Sequence, residues 1–136
     1  MNGALIQPSD ERRLFEQLVE YYKKLYPGIG FKKMEAVLKP EDISEIIYTY
    51  PGEETEATFN EEVVLIAESV KYGYDTPLII LRKQKQDILL DGHRRLKVAF
   101  DRKIGWKALL MIPDKEIQFG IEKMAKGKVR EVFGRK

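Results

Sequence analysis

The chain has 136 residues, 43% of them hydrophobic and 34% charged, with a net charge of +2. That suffices for one domain with a real core but not for two of ordinary size. The absence of cysteine excludes disulfides, thiolate zinc sites and cysteine nucleophiles. No apolar run approaches the roughly 18 residues of a membrane span, and the N-terminus lacks the basic and apolar regions of a secretory signal. A cytoplasmic protein with no membrane partner is expected. Few Asn and Gln beside abundant Lys, Glu and Ile point to a thermophilic source.

Residues 9–26 are predicted as an amphipathic helix, with Ser9 or Asp10 as cap and Leu14, Phe15, Leu18, Tyr22 and Leu25 at helical spacing. Pro27 and Gly28 end it. A strand is predicted over 34–38. Pro40 fits the first position of a helix running to about Tyr48, with Glu41 and Asp42 in its first turn. A polar loop covers 49–59. Asn60 is the expected cap of a helix to about Tyr72, burying Val63, Val64, Ile66, Ala67 and Val70, and Gly73 is its stop. Residues 77–82 and 88–90 form a predicted hairpin. A helix opens at His93 and buries Leu96, Ala99 and Phe100. Gly105 breaks the chain before a last strand, 107–112. A final helix is predicted over 114–125, with Ile117, Ile121 and Met124 as its stripe. Val129, Val132 and Phe133 offer partial order to a basic tail. The expected class is α+β: a small mixed sheet surrounded by helices.

Charge is unevenly placed. Residues 41–68 carry nine acids (Glu41, Asp42, Glu45, Glu53, Glu54, Glu56, Glu61, Glu62, Glu68) and no Lys or Arg, whereas the chain beyond them is strongly basic. This reads either as a phosphate-binding face or as two solvated faces that attract each other. The acids can include a magnesium ligand or simply face water. Tyr48, Tyr50, Tyr72 and Tyr74 can stack on a base or pack at the core and rim.

The stretch "ILLDGHRRLKVAF", 88–100, is the most informative. A strand runs into Asp91 and Gly92, then into a helix that opens with His93, Arg94 and Arg95. The first amides of a helix lack intrahelical acceptors and attract anions, and guanidinium groups suit phosphate oxygens. The competing reading is that Asp91 caps the helix while the arginines reach solvent or the acidic segment. His93 is a candidate acid or base, although a helix N-terminus favours its neutral form.

Residues 67–112 resemble the core of the ParB/sulfiredoxin superfamily, whose members run a helix into G-x-x-x-P, a hairpin, a D-G-[HE]-[HR]-R stretch opening a helix, a Gly and a last strand. Residues 37–43, "VLKPEDI", resemble the family's opening. The resemblance divides the chain into an N-terminal helical extension (1–33), a ParB/sulfiredoxin-like domain (34–125) and a basic tail (126–136). It implies nucleotide binding (ATP, ADP or CTP, with Mg2+ as a possible companion) at Gly73, Thr76, Pro77, Asp91, Gly92, His93, Arg94 and Arg95. The D-G-H-R-R stretch is locally closest to archaeal free-serine kinases, which implies a catalytic glutamate before the long helix. Glu45, Glu53, Glu54 and Glu56 are the candidates, beside His93. His93 stands where sulfiredoxins place their reactive cysteine, so sulfinic-acid reduction is not expected. The P-R element of partition proteins falls near Glu56, their E-N-x-Q-R box is reduced to "EKMAK" (122–126), and no helix-turn-helix unit follows. Two functions remain open: a nucleic-acid-associated module whose Lys126, Lys128, Arg130, Arg135 and Lys136 contact DNA backbone, or a phosphotransferase or nucleotidase acting on a small hydroxyl compound such as a free amino acid. The oligomeric state is open, a dimer included.

Overall fold

A computed structural model describes residues 5–53, 55–84 and 86–134. The fold is mixed α+β, as expected. Helix α1 (Pro8–Leu25) leads to strand β1 (Phe31–Leu38), helix α2 (Pro40–Glu45), strand β2 (Ile47–Thr49) and helix α3 (Glu56–Val70). The hairpin β3 (Leu78–Lys83) and β4 (Gln86–Asp91) follows, then helix α4 (His93–Arg102) and strand β5 (Trp106–Pro113). A 3-10 turn (Gly120–Met124), strand β6 (Ala125–Lys128) and helix α5 (Val129–Phe133) complete it.

The six strands order as β1-β5-β3-β4-β2-β6. The β3/β5 and β4/β2 pairs are parallel and the others antiparallel. Residues 78–81 of central β3 are fully buried, because both faces of the sheet are covered. Leu78 and Ile80 face a core with Ile43, Ile46, Leu96 and Val129 from the α2–α5 side. Ile79 and Leu81 face Phe15, Val19, Tyr22 and Phe119, from α1 and the chain before the 3-10 turn. Alternation along one strand thus joins two helical layers.

Several boundaries differ from the sequence expectation. The cap of α1 is Gln7, with Pro8 in the first turn, rather than Ser9 or Asp10. The first strand begins at Phe31, not 34. The helix from Pro40 stops at Glu45, because the β-branched and aromatic run that follows pairs with β4 and β6 as a strand. The long helix starts at Glu56 under a Thr55 cap, whose side chain accepts from the Thr58 amide at 3.0 Å, so Asn60 is interior. Val64 is 61% exposed, since only one side of α3 meets the core. The predicted helix over 114–125 is irregular chain ending in the 3-10 turn. Phe119 is sunk into the core ahead of Gly120, a poor helix former, and Met124 is exposed. The basic tail is built into the fold through β6 and the fully buried Val129. Among the described residues, no helix is long and apolar enough to cross a membrane.

Candidate functional site

Strand β4 ends at Asp91, and the chain turns at Gly92 with φ 106°. A side chain there is excluded twice over. That φ is costly for any residue with a Cβ, and a Cβ would sit 2.8 Å from Leu78 Cδ2. The Gly92 carbonyl accepts the Leu96 amide at 2.8 Å, the first bond of α4. The amides of residues 93–95 precede that bond, and no side chain caps the helix. Asp91, the expected cap, points elsewhere.

It points to Arg95, which is buried and engaged by protein groups. Nη2 donates to Glu11 Oε2 at 2.9 Å and to Asp91 Oδ2 at 3.1 Å, and Nη1 donates to the Pro77 carbonyl at 3.1 Å. Glu11, from α1, is 1% exposed. Burial first, and then hydrogen bonding to Asp91, push its pKa up to about 8 against the pull of Arg95. The raised pKa favours the protonated form of Glu11 near neutral pH. Arg95, expected to hold phosphate, ties α1 to the strand-to-helix turn.

Arg94 turns the other way. Its Nε lies 3.4 Å from Glu62 Oε1, and its guanidinium sits over the Phe59 ring at 5.6 Å. Both partners belong to α3. His93 Nε2 lies 3.1 Å from Thr49 Oγ1, and its ring meets the edge of Tyr48 at 5.3 Å. Burial pushes its pKa down to about 4, which favours the neutral imidazole at physiological pH.

Gly92, His93 and Arg94 open into a cleft of about 650 Å3, the size of a small-molecule site. Glu62 and Ile66 wall it from α3, Tyr50 and Met124 from another side, and Leu5 and Ile6 from the N-terminal segment. Tyr50 and Met124 are each 43% exposed and give it an apolar rim.

Asp91 and Arg95 also line the cleft, whereas the remaining expected site residues lie apart from it. Gly73 is an exposed turn residue outside it. Thr76 and Pro77 are buried beneath the N-terminal segment. The Thr76 hydroxyl donates to the Ile6 carbonyl at 2.8 Å, as does the Tyr74 hydroxyl at 2.9 Å. The extension thus covers two of the residues expected to bind nucleotide. Glu45 is exposed at a different hollow. It accepts from Lys128 at 2.8 Å and Arg130 at 2.7 Å, and these hydrogen bonds hold its carboxyl below the ordinary range. Glu53 and Glu56 are exposed and do not line the cleft; Glu54 lies outside the described residues. In the tail, Lys128 and Arg130 are taken by Glu45, and Lys126 lies over the Tyr50 ring at 5.7 Å. Arg135 and Lys136 lie outside the described residues. Tyr48 is buried, and Tyr72 is exposed away from the cleft. Among the described residues, no group of three or more acids or histidines is arranged to hold a metal ion.

Two residues of the site were not singled out in the sequence. Glu62 is the one glutamate that lines the cleft among the described residues. It stands one turn before Ile66, the buried residue of α3, and that i, i+4 spacing is the signal that marks it. Glu11 stands one turn before Phe15 on the buried stripe of α1, where a charge needs a partner. No family model, no curated protein and no solved structure matches the chain.

Proposed function

We propose that this chain is a ParB/sulfiredoxin-like domain that binds a nucleotide in the cleft, with its phosphates at the first amides of α4 beside Arg94. The observation that carries the reading is the uncapped N-terminus of α4 opening into a cleft of nucleotide size. Oriented amides and the helix dipole favour an anion there, and Arg94 adds a cation on the same side. Tyr50 and Met124 offer apolar surface to a base. The order of elements from Gly73 to β5 supports the family placement. The reading rests on the cleft and not on the tail, because Lys128 and Arg130 are spent on Glu45.

Glu62 favours phosphoryl transfer as the second reading. In that reading an acceptor hydroxyl oxygen bonds the terminal phosphorus, the bridge to the leaving phosphate breaks, and Glu62 takes the hydroxyl proton.

A thermal-shift panel of ATP, ADP, CTP and GTP, with and without magnesium, tests the binding. A nucleotide at 100 times its Kd adds about 2.7 kcal/mol of stability, which raises Tm by several degrees. No shift with any of the four overturns the proposal.

A further inference from the structure

The chain has a single histidine, and its hydrogen bonding determines more than its charge. Thr49 ends β2 with its side chain buried, and its hydroxyl lies 2.9 Å from the Leu89 carbonyl oxygen. A carbonyl only accepts, so the one proton of Thr49 is committed to it. The same hydroxyl oxygen lies 3.1 Å from His93 Nε2. With no proton left to give, it accepts, and Nε2 carries the ring proton. Tyr48 fixes the ring plane, meeting it at 83°. Of the charged groups that act on the imidazole, Asp91 favours a cation, while Arg94 and Arg95 oppose one. A neutral ring with its proton on Nε2 has a lone pair on Nδ1, and no donor among the described residues bonds that atom.

We propose that Thr49 fixes His93 in the Nε2–H tautomer, so that Nδ1 serves the cleft as a hydrogen-bond acceptor and selects a ligand that brings a hydroxyl to that point. The inference deepens the nucleotide reading and rests on it. A fully ionised phosphate oxygen has no proton for Nδ1 and is repelled by its lone pair. Phosphate therefore sits toward the α4 amides and Arg94, while a hydroxyl of the same ligand faces His93. So weakly basic a ring positions a hydroxyl and does not remove its proton. Thr49 is a positioning residue that acts through His93.

Having one histidine makes the test direct. Long-range proton–nitrogen correlation spectra of the intact protein at neutral pH should show one imidazole with its proton on Nε2. Thr49→Val, which keeps the shape and removes the hydroxyl, should give a mixture of tautomers, and Thr49→Ser should restore the single form. A wild-type ring protonated on Nδ1, or already mixed, overturns the proposal, and so does a Thr49→Val protein that keeps the pure Nε2–H form. If Thr49→Val does not fold, the wild-type and Thr49→Ser spectra still decide, because both must show the single Nε2–H form. Saturating ADP should then move the Nδ1 resonance toward that of a hydrogen-bonded nitrogen. ADP that raises Tm but leaves Nδ1 unmoved overturns the hydroxyl assignment. If ADP does not bind, the same spectra with whichever of ATP, CTP or GTP raises Tm decide that assignment; if none of the four binds, the nucleotide reading falls and takes it along, while the tautomer still reports on Thr49.

Discussion

Arg94 and Arg95 are neighbours in the chain and opposites in the structure. A helix places consecutive side chains about 100° apart, so the first turn of α4 sends one arginine to its front and the other to its back. In front, Arg94 meets Phe59 and Glu62 of α3 at the wall of the cleft. Behind, Arg95 is buried between Glu11 and Asp91. The back holds the turn in place, and the front faces α3 across the cleft. Adjacent guanidinium groups are thus no guarantee of a phosphate clamp: one of the two serves the fold.

The largest expected effect breaks the back. Arg95→Ala removes the donors to Glu11, Asp91 and the Pro77 carbonyl. Leaving buried acceptors unsatisfied costs about 1–3 kcal/mol each, to be read from the denaturant midpoint. Arg95→Lys should recover little of it, because one ammonium does not reproduce the fork that reaches Glu11, Asp91 and Pro77 together. A loss below about 1 kcal/mol for Arg95→Ala would mean that the clamp does not hold α1.

The next effect is a pH dependence with opposite signs on the two sides. Glu11 has its pKa raised from 4.5 to about 8, so the folded state holds a proton that the unfolded chain has released. Its contribution is complete below pH 4.5 and is lost as pH rises through 8. His93 has its pKa lowered from 6.5 to about 4, so its contribution is present above 6.5 and lost as pH falls through 4. Between pH 4.5 and 6.5 the two slopes oppose each other. Between 6.5 and 8 Glu11 acts alone, and unfolding free energy should fall as pH rises. Glu11→Gln imitates the protonated acid, still accepting from Arg95, and should make that window flat. A wild-type stability that is level or rising there contradicts the raised pKa of Glu11.

Much of this arrangement was legible in the sequence, for identifiable reasons. The stripe of α1, the β3–β4 hairpin and the turn into α4 follow from helical periodicity, a continuous apolar run and an Asp-Gly break. The strand over 47–49 was not legible. Its residues continue an apolar pattern begun in α2, and its partners β4 and β6 are distant in sequence. The segment 114–124 has helical spacing, yet the burial of Phe119 overrides it. Within the site, Gly92, His93 and Arg94 could be located because local chemistry marks them. Glu62 was hidden among nine acids of equal appearance, since only the packing of Ile66 shows which edge of α3 faces the cleft. The division of labour between Arg94 and Arg95 was equally hidden, because it depends on Glu11, 84 positions before Arg95.

The last prediction sharpens the front. Arg94 is partly exposed, as is Glu62, and such pairs contribute about 0–1 kcal/mol. Arg94→Ala should therefore leave the unfolding midpoint almost unchanged, where Arg95→Ala moves it most. Its effect should fall on the ligand. A charge-assisted contact to phosphate contributes about 1.5–3 kcal/mol, so nucleotide affinity should drop roughly tenfold to more than a hundredfold by calorimetry. Arg94→Lys should keep part of that affinity, since an ammonium still binds phosphate as a point charge. Glu62→Gln separates binding from chemistry at the same wall. It removes a negative charge beside the phosphate position, so affinity should hold or rise, while any phosphoryl transfer should slow by about 100-fold or more. If Arg94→Ala instead destabilises the fold and spares the nucleotide, the front of α4 is a second structural clamp, and the ligand belongs elsewhere.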